Sequence, residues 1–217
     1  MKKIKKFSAL SLALVLALSL VGCGGKSSED IEKDLPIKKE YAAATIEDRV
    51  YSSEFAGMTA TLDESWQILT QEEIAQVIGL TSALVTDEDL KEAINNGETV
   101  YDLYAITATG STLNITVGDL GLVYGAVLDM KILAQSVADQ LVPAFTSMGF
   151  ENVTAEVSTL SFAGSQENAI VVTGQMEGIP MYEVLVCKKV HNYVYTITAC
   201  TYGEDGTTDI LALFQSL

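Results

Sequence analysis

The pattern of apolar and polar positions divides the 217-residue chain into an N-terminal apolar run, a polar connector and one long patterned region. Residues 51–217 alternate between period-two stretches, typical of strands, and stretches with a period near 3.6, typical of helices. No second linker and no internal repeat interrupts this region, and its length suits one ordinary domain. The pattern therefore predicts a single globular α+β domain over residues 46–217.

Two short strand-like pieces, VYSSEF and GMTATL, open the domain and join near Gly57. Thr70-Gln71-Glu72-Glu73 forms a capping box that predicts a helix to about Val77, with Gly79 placed to end it. Thr86 precedes a second predicted helix, DEDLKEAINN, whose leading acids suit the positive end of the helix dipole. VYDLYAIT and TLNITVGDL are then predicted as two strands around the turn TGS.

The longest helical pattern runs from Asp129 to Met148, and Pro143 is predicted to kink or end its last part. The tail TTDILALFQSL is predicted to be a short amphipathic helix. Between them lie four predicted strands separated by turns with Gly or Asn: NVTAEVSTLSF, NAIVVTGQM, PMYEVLVCKKV and YVYTITACTY. This order favours an α+β fold with a largely antiparallel sheet flanked by helices.

Cys187 and Cys200 lie on the last two of these strands. If His191-Asn192 is a two-residue hairpin turn, Cys187 faces Thr196 and Cys200 faces Glu183. The cysteines then share a sheet face but lie roughly 13 Å apart at about 3.3 Å per residue, whereas a disulfide needs Cα atoms within about 7 Å. We expect two small buried hydrophobic residues, the alternative being a disulfide in a shifted register. The opposite face is the better core candidate and carries Tyr182, Val184, Val186, Tyr193, Tyr195 and Ile197.

The first 22 residues have the pattern of a secretory signal peptide. Four lysines at positions 2, 3, 5 and 6 precede a 15-residue apolar stretch from Phe7 to Val21. A membrane span needs about 20 apolar residues, so a stretch this short favours a cleaved signal over residues 1–22.

Leu20-Val21-Gly22-Cys23 resembles the lipobox of bacterial lipoproteins. The resemblance implies a diacylglyceryl group on the Cys23 sulfur and cleavage just before it, the alternative being an ordinary secretory signal that contains a cysteine. Two acyl chains hold a protein stably at a membrane. We therefore expect Cys23 as the lipid attachment site, residues 23–45 as a lipidated N-terminus and flexible tether, and a location on the extracytoplasmic face of the cell membrane.

The net charge of the chain limits the classes of partner that it can bind. Cleavage would remove four lysines and no acid, leaving 13 − 4 = 9 basic against 29 acidic side chains. Nucleic acid phosphates and anionic lipid headgroups would repel such a chain, so we expect no nucleic-acid partner. Attachment to the membrane would then depend on the N-terminal lipid, and an unknown protein or small ligand stays open as partner.

The sequence offers little catalytic chemistry. Nucleophile-elbow and phosphate-loop motifs are missing, and the one histidine, His191, lies in a predicted turn that favours a solvated loop residue over a catalytic base. Asp87-Glu88-Asp89 and residues 203–209, GEDGTTD, are acidic enough to suggest calcium, but a helix start explains each of them. Trp66 is expected to fill the core under the opening hairpin, the alternative being a sugar-stacking residue. We therefore predict no catalytic residue, no metal site and no cofactor.

The order of elements, together with the opening YSSEFAGMTATLDESW, resembles the Mog1/PsbP-like α/β/α sandwich found in lipoproteins of Gram-positive bacteria. Tyr51, Phe55, Gly57 and Trp66 match the opening hairpin of that family and the turn after it, whereas Asp63 replaces the usual proline. The resemblance implies a binding or assembly role and no shared catalytic residues. Function inferred from a fold is analogy.

Two functions follow as hypotheses. The favoured one is a noncatalytic, membrane-anchored extracytoplasmic lipoprotein that binds or assembles an unknown partner. The alternative is a hydrolase of the cell envelope or of polysaccharide, which predicts a concave cleft with two facing acids and at least one raised pKa. A purely structural role would instead predict a large exposed apolar patch.

Overall fold

The computed structural model describes residues 39–79, 84 and 86–217. Within them, a large antiparallel sheet contains β4 (Trp66–Ile68), β5 (Val100–Thr107), β6 (Thr112–Asp119), β7 (Glu151–Phe162), β8 (Ser165–Met176), β9 (Ile179–Val190) and β10 (Tyr193–Tyr202), in the order β4-β5-β6-β10-β9-β8-β7. A small antiparallel sheet contains β1 (Thr45–Glu47), β2 (Val50–Ser53), β3 (Met58–Thr61) and β11 (Phe214–Ser216), in the order β1-β2-β3-β11. The helices of the same residues are α1 (Gln71–Ile78), α2 (Asp87–Asn95), α3 (Gly121–Val127), α4 (Met130–Ser147) and α5 (Thr207–Leu211). The structure thus confirms the α+β class and the largely antiparallel sheet flanked by helices.

Both faces of the central strands of the large sheet are buried, because a separate layer packs against each face. One face packs against the small sheet, α2 and α5, and its inward positions include Ile115 on β6 and Ile197 on β10. The other face packs against α4 through Leu141 and Phe145, and β9 contributes Leu185 to that layer. The face with Tyr195 and Ile197 is core as predicted, but the cysteine face is core as well, because α4 covers it.

Local signals set the helix ends as predicted. The Thr70 hydroxyl accepts from Glu73 N, and the Glu73 carboxylate accepts from Thr70 N at 2.9 Å, which completes a capping box. Gly79, with φ of 77°, ends α1 in the left-handed conformation that glycine adopts without strain. Thr86 and Asp89 repeat the reciprocal cap at the start of α2.

The ends of α4 and of the chain differ in part from the predictions. Pro143 does not end α4, which continues to Ser147, since Pro143 is exposed where water can hydrate the carbonyl it leaves unpaired. The C-terminal tail is helical only over α5 and then pairs as β11 with β3, Phe214 opposite Ala60. Phe214 packs its ring 5.0 Å from that of Phe162, so the tail gains more from core burial than from a longer helix.

The domain begins earlier than the predicted boundary at residue 46. Tyr41, placed by the sequence in the flexible tether, is 2% exposed and packs its ring 6.1 Å from those of Phe55 and Tyr193. The Tyr193 hydroxyl also donates to Lys39 O at 3.0 Å. Residues 39–45 are therefore part of the packed domain.

The predicted hairpin register is confirmed. Cys187 pairs with Thr196 and Cys200 with Glu183, and both cysteines are free and buried. Burial raises the pKa of Cys187 to about 12 and also raises the pKa of Cys200 well above its ordinary value. Both therefore serve as small apolar side chains under α4.

The predicted signal peptide and Cys23 lie outside the described residues. Among the helices of residues 39–79 and 86–217, none combines the length and the hydropathy that a membrane span requires.

Candidate functional site

A pocket of about 280 Å³ opens at the β4 edge of the large sheet, between β1, the start of α1 and β5. We call it the β5 pocket. Its lining is mostly apolar, with three polar residues, and consists of Ile46, Ile68, Leu69, Thr70, Gln71, Ile74, Asp102 and Leu103. A concave, largely apolar surface with a few placed polar groups is the usual form of a small-molecule site.

Hydrogen bonds to β5 fix the helix start that forms one wall. Leu69 N donates to Tyr104 O at 2.8 Å, and the Gln71 side chain donates from Nε2 to Tyr101 O at 2.9 Å. The Thr70 cap holds the first turn of α1 above these contacts. Because Gln71 Nε2 is used in this way, its Oε1 is the acceptor that stays available to a ligand.

A β-bulge in β5 places Asp102 in the lining of the β5 pocket. Tyr101 pairs with Thr116 and Leu103 with Ile115, so Asp102 is the extra residue of β5. A bulge redirects the side chain of the residue it inserts. Here it turns a carboxyl group toward the layer between the large sheet and the small sheet.

Three donors converge on the Asp102 carboxyl group, which is 6% exposed. The Tyr41 hydroxyl donates to Oδ1 at 2.5 Å, the Tyr51 hydroxyl to Oδ2 at 2.9 Å and Ala44 N to Oδ1 at 3.4 Å. Burial raises the pKa of Asp102, and the hydrogen bonds from Tyr41 and Tyr51 oppose that rise. Burial, reinforced by the Asp102 charge, raises the pKa of both tyrosines.

This arrangement holds the N-terminal segment on the domain. Tyr41 and Ala44 come from the segment before β1, Tyr51 comes from β2, and Asp102 joins them to the large sheet. With both oxygens engaged by protein donors, Asp102 acts as a fixed acceptor in the lining of the β5 pocket.

A second buried acid, Glu183, lies on the other face of the large sheet. It is 3% exposed and sits across from Cys200 on β10. Burial raises its pKa to about 7, and the hydrogen bond with the Cys200 thiol only partly offsets this. Asp102 on β5 and Glu183 on β9 are separated by β6 and β10, which is roughly 14 Å at about 4.8 Å per strand.

The structure shows where the residues singled out from the sequence lie. His191 is exposed in the β9–β10 turn at φ of 56°, its ring 5.6 Å from that of Phe55. Trp66 is buried in the core beneath the opening strands, as predicted. Asp89 caps α2, and Asp205 accepts from Thr207 N at 3.1 Å before α5. Among the residues that the structure describes, no group of three or more His, Cys, Asp or Glu side chains could hold a metal ion.

Sequence reasoning missed Asp102 and Glu183. A signal was present in both cases: each is a lone acid inside a strand whose neighbours are apolar, VYDLYAIT and PMYEVLVC. A charged residue at such a position is rarely buried unless the fold supplies partners or shifts its pKa.

Comparisons with known proteins bear on the shape of the domain. No family model matches the chain, and no curated protein matches it in sequence. The chain is similar to the solution structure of cyanobacterial PsbP (CyanoP) from Synechocystis sp. PCC 6803, with 11% identity and a TM-score of 0.47 over 90% of this chain and 99% of that chain. It is also similar to the crystal structure of LpqN, described as involved in cell envelope biogenesis of Mycobacterium tuberculosis, with 13% identity and a TM-score of 0.29 over 71% of this chain and 75% of that chain. Similarity at this level says nothing of activity.

Proposed function

We propose that this protein is a noncatalytic binding module, held by an N-terminal lipid on the extracytoplasmic face of the membrane, that binds a small ligand in the β5 pocket. The observation that carries the proposal is the pocket lining: five apolar side chains beside the polar start of α1. The volume of the pocket, about 280 Å³, is slightly below the roughly 300–1,000 Å³ found for small-molecule sites.

The lining also defines the class of ligand. Asp102 is the single charged residue among the eight, and no basic side chain is present to pair with an anion. An uncharged or cationic ligand with an apolar body fits this lining, with Gln71 Oε1 as a hydrogen-bond acceptor.

Binding is favoured over hydrolysis because of where the buried acids lie. A glycosidase needs two carboxyl groups flanking one bond, about 5–10 Å apart on a common cleft. Asp102 and Glu183 face opposite sides of the large sheet, and Asp102 is already engaged by Tyr41, Tyr51 and Ala44.

A thermal-shift screen of residues 39–217 against neutral and cationic fragments tests the binding site. A ligand at 100 times its Kd stabilises by about 2.7 kcal/mol, which at about 2–4 °C per kcal/mol raises Tm by roughly 5–10 °C. Ile46→Arg should abolish the shift by filling the pocket mouth. Ile179→Arg is the matched control, because Ile46 and Ile179 are both 40% exposed and Ile179 lies on β9 away from the pocket.

If the ligand still raises the Tm of the Ile46→Arg variant, the binding site lies outside the β5 pocket. No shift across the panel would remove the small-ligand proposal, and conversion of a fragment into products would favour the hydrolase.

The lipid anchor has a separate test, detergent-phase partitioning of the full chain expressed in bacteria. The native protein should enter the detergent phase, and Cys23→Ala should stay in the aqueous phase or remain unprocessed. Partitioning that Cys23→Ala leaves unchanged would refute lipidation at Cys23.

A further inference from the structure

The N-terminal segment of the described chain begins at one end of the large sheet. The Tyr193 hydroxyl at the start of β10 holds Lys39 O, the first described residue. The same end contains the β9–β10 turn, where Asn192 Nδ2 donates to Asp119 Oδ1 at 2.9 Å and Leu120 N donates to Asn192 O at 2.7 Å. We call it the tether end, because the predicted tether would arrive there.

The α3–α4 corner, residues 126–132, lies at the tether end, where Leu128 and Met130 pack against the cluster of Leu120, Leu133 and Val194. Close packing fixes it: a Cβ at Gly125 would lie 2.9 Å from Asn192 Cα, so α3 rests directly on the β9–β10 turn. Leu133, one turn into α4, packs with Leu120 and Val194 at the same end of the sheet.

The corner exposes apolar side chains that the domain does not cover. Val127 is 74% and Ile132 is 65% exposed, the highest values for large apolar residues in the described part of the chain. Lys131 is exposed between them, and Asp129 is engaged as the cap of α4, accepting from Lys131 N at 2.8 Å. Apolar side chains beside an exposed lysine suit the interface between acyl chains and headgroups.

Charge is distributed unevenly between the two ends of the sheet. Four of the six basic side chains of the described residues lie at the tether end: Lys39, Lys131, Lys188 and Lys189. Lys188 pairs there with Glu167 at 3.0 Å. The acids at the tether end are Glu40, Glu54, Glu98, Asp119, Asp129 and Glu167, so this end is acidic, but it is less so than the other end. At the opposite end, the described residues include Arg49 and a set of acids: Asp63, Glu64, Glu151, Glu177, Glu204 and Asp205.

We infer that the α3–α4 corner docks on the lipid bilayer, with Val127 and Ile132 inserted among the acyl chains and the acidic end turned away. The inference rests on the proposed lipid anchor. From Cys23 to Lys39 the chain advances 39 − 23 = 16 residues, and a flexible tether of that length reaches roughly 22 Å. Anionic headgroups repel the acidic end more strongly than the tether end, so repulsion and apolar insertion favour the same orientation.

The test uses residues 24–217 with an N-terminal hexahistidine in place of Cys23, attached to vesicles of phosphatidylglycerol and phosphatidylcholine that contain a nickel-chelating lipid. An environment-sensitive fluorophore is placed on Val127→Cys or Ile132→Cys, and on Ile179→Cys at the opposite end as control. Cys187 and Cys200 are buried, which restricts labelling to the introduced thiol.

Docking predicts blue-shifted, several-fold stronger emission at positions 127 and 132 on vesicles, with little change at position 179. Equal responses at all three positions, or none at 127 and 132, would overturn the inference. A response without vesicles that grows with protein concentration would also overturn it, by assigning the corner to contact between copies. Because the nickel lipid replaces the native anchor, a failure of lipidation at Cys23 does not affect this result.

Discussion

Glu183→Gln should make the stability of the domain less sensitive to a rise in pH through the range in which Glu183 ionises. Glu183 lies in an apolar layer: Val172 on β8 and Cys200 on β10 are its neighbours in register, and α4 contributes alanine, leucine and phenylalanine side chains. Burial there raises its pKa from 4.5 to about 7. The folded protein therefore keeps a proton that the unfolded chain has lost over that interval.

Proton linkage gives the sign and the size of the pH-dependent contribution that Glu183 makes to the free energy of unfolding. The stability contribution of a raised pKa is fully present below about 4.5 and is lost as the pH rises to about 7. At about 1.36 kcal/mol per pH unit, the native protein should lose roughly 2 to 3 kcal/mol from this group between about pH 5 and about pH 8. Glutamine does not ionise, so the variant should lack this loss.

Urea unfolding of residues 39–217 measures the effect. The free-energy difference between Glu183→Gln and the native protein should shift by roughly 2 to 3 kcal/mol in favour of the variant from about pH 5 to about pH 8. Any constant cost of burying the amide cancels in this comparison. Glu156→Gln, at an exposed position on β7, is the control and should show no such shift. If the free-energy difference between Glu183→Gln and the native protein is equal at both pH values, Glu183 does not have a raised pKa in the folded state.

Three further predictions concern contacts of the fold. Tyr41→Phe removes a hydrogen-bond donor to the buried Asp102 carboxyl group and should lower the stability of the fold by about 1–2 kcal/mol. Limited proteolysis should then trim the N-terminal segment faster. The control Tyr182→Phe, at a half-buried position, should not change the rate of trimming. Thr86→Ala should cost roughly 1 kcal/mol in urea unfolding through loss of its cap, and an unchanged midpoint would argue against that cap. Cys187 and Cys200 should react with a thiol reagent only at the rate of unfolding, so immediate reaction of the native protein would contradict their burial.

The features predicted well from the sequence depend on neighbouring residues. The Thr70 cap needs only side chains three residues apart, and it formed as the predicted reciprocal box. A two-residue loop at His191-Asn192 fixes the register of the strands it joins, which placed Cys187 and Cys200 too far apart to pair.

The features missed depend on contacts between distant residues. Tyr41 is buried because Asp102, 61 positions later, offers a carboxyl group, and no local pattern reports that partner. The tail became β11 because β3 offers a free edge, so pairing outweighed a helical pattern. The β5 pocket likewise unites β1, α1 and β5, and only an acid inside an apolar strand marked the place in advance.

Mapping of amide chemical shifts would show whether a ligand binds in the β5 pocket. Isotope-labelled protein of residues 39–217 would be titrated with neutral and cationic fragments. Binding there should perturb the amide shifts of residues lining the pocket, such as Leu69, Gln71 and Leu103. These perturbations should be lost in Ile46→Arg but not in Ile179→Arg. Perturbations concentrated around Glu183 or elsewhere on the α4 side, and unaffected by Ile46→Arg, would contradict binding in the β5 pocket.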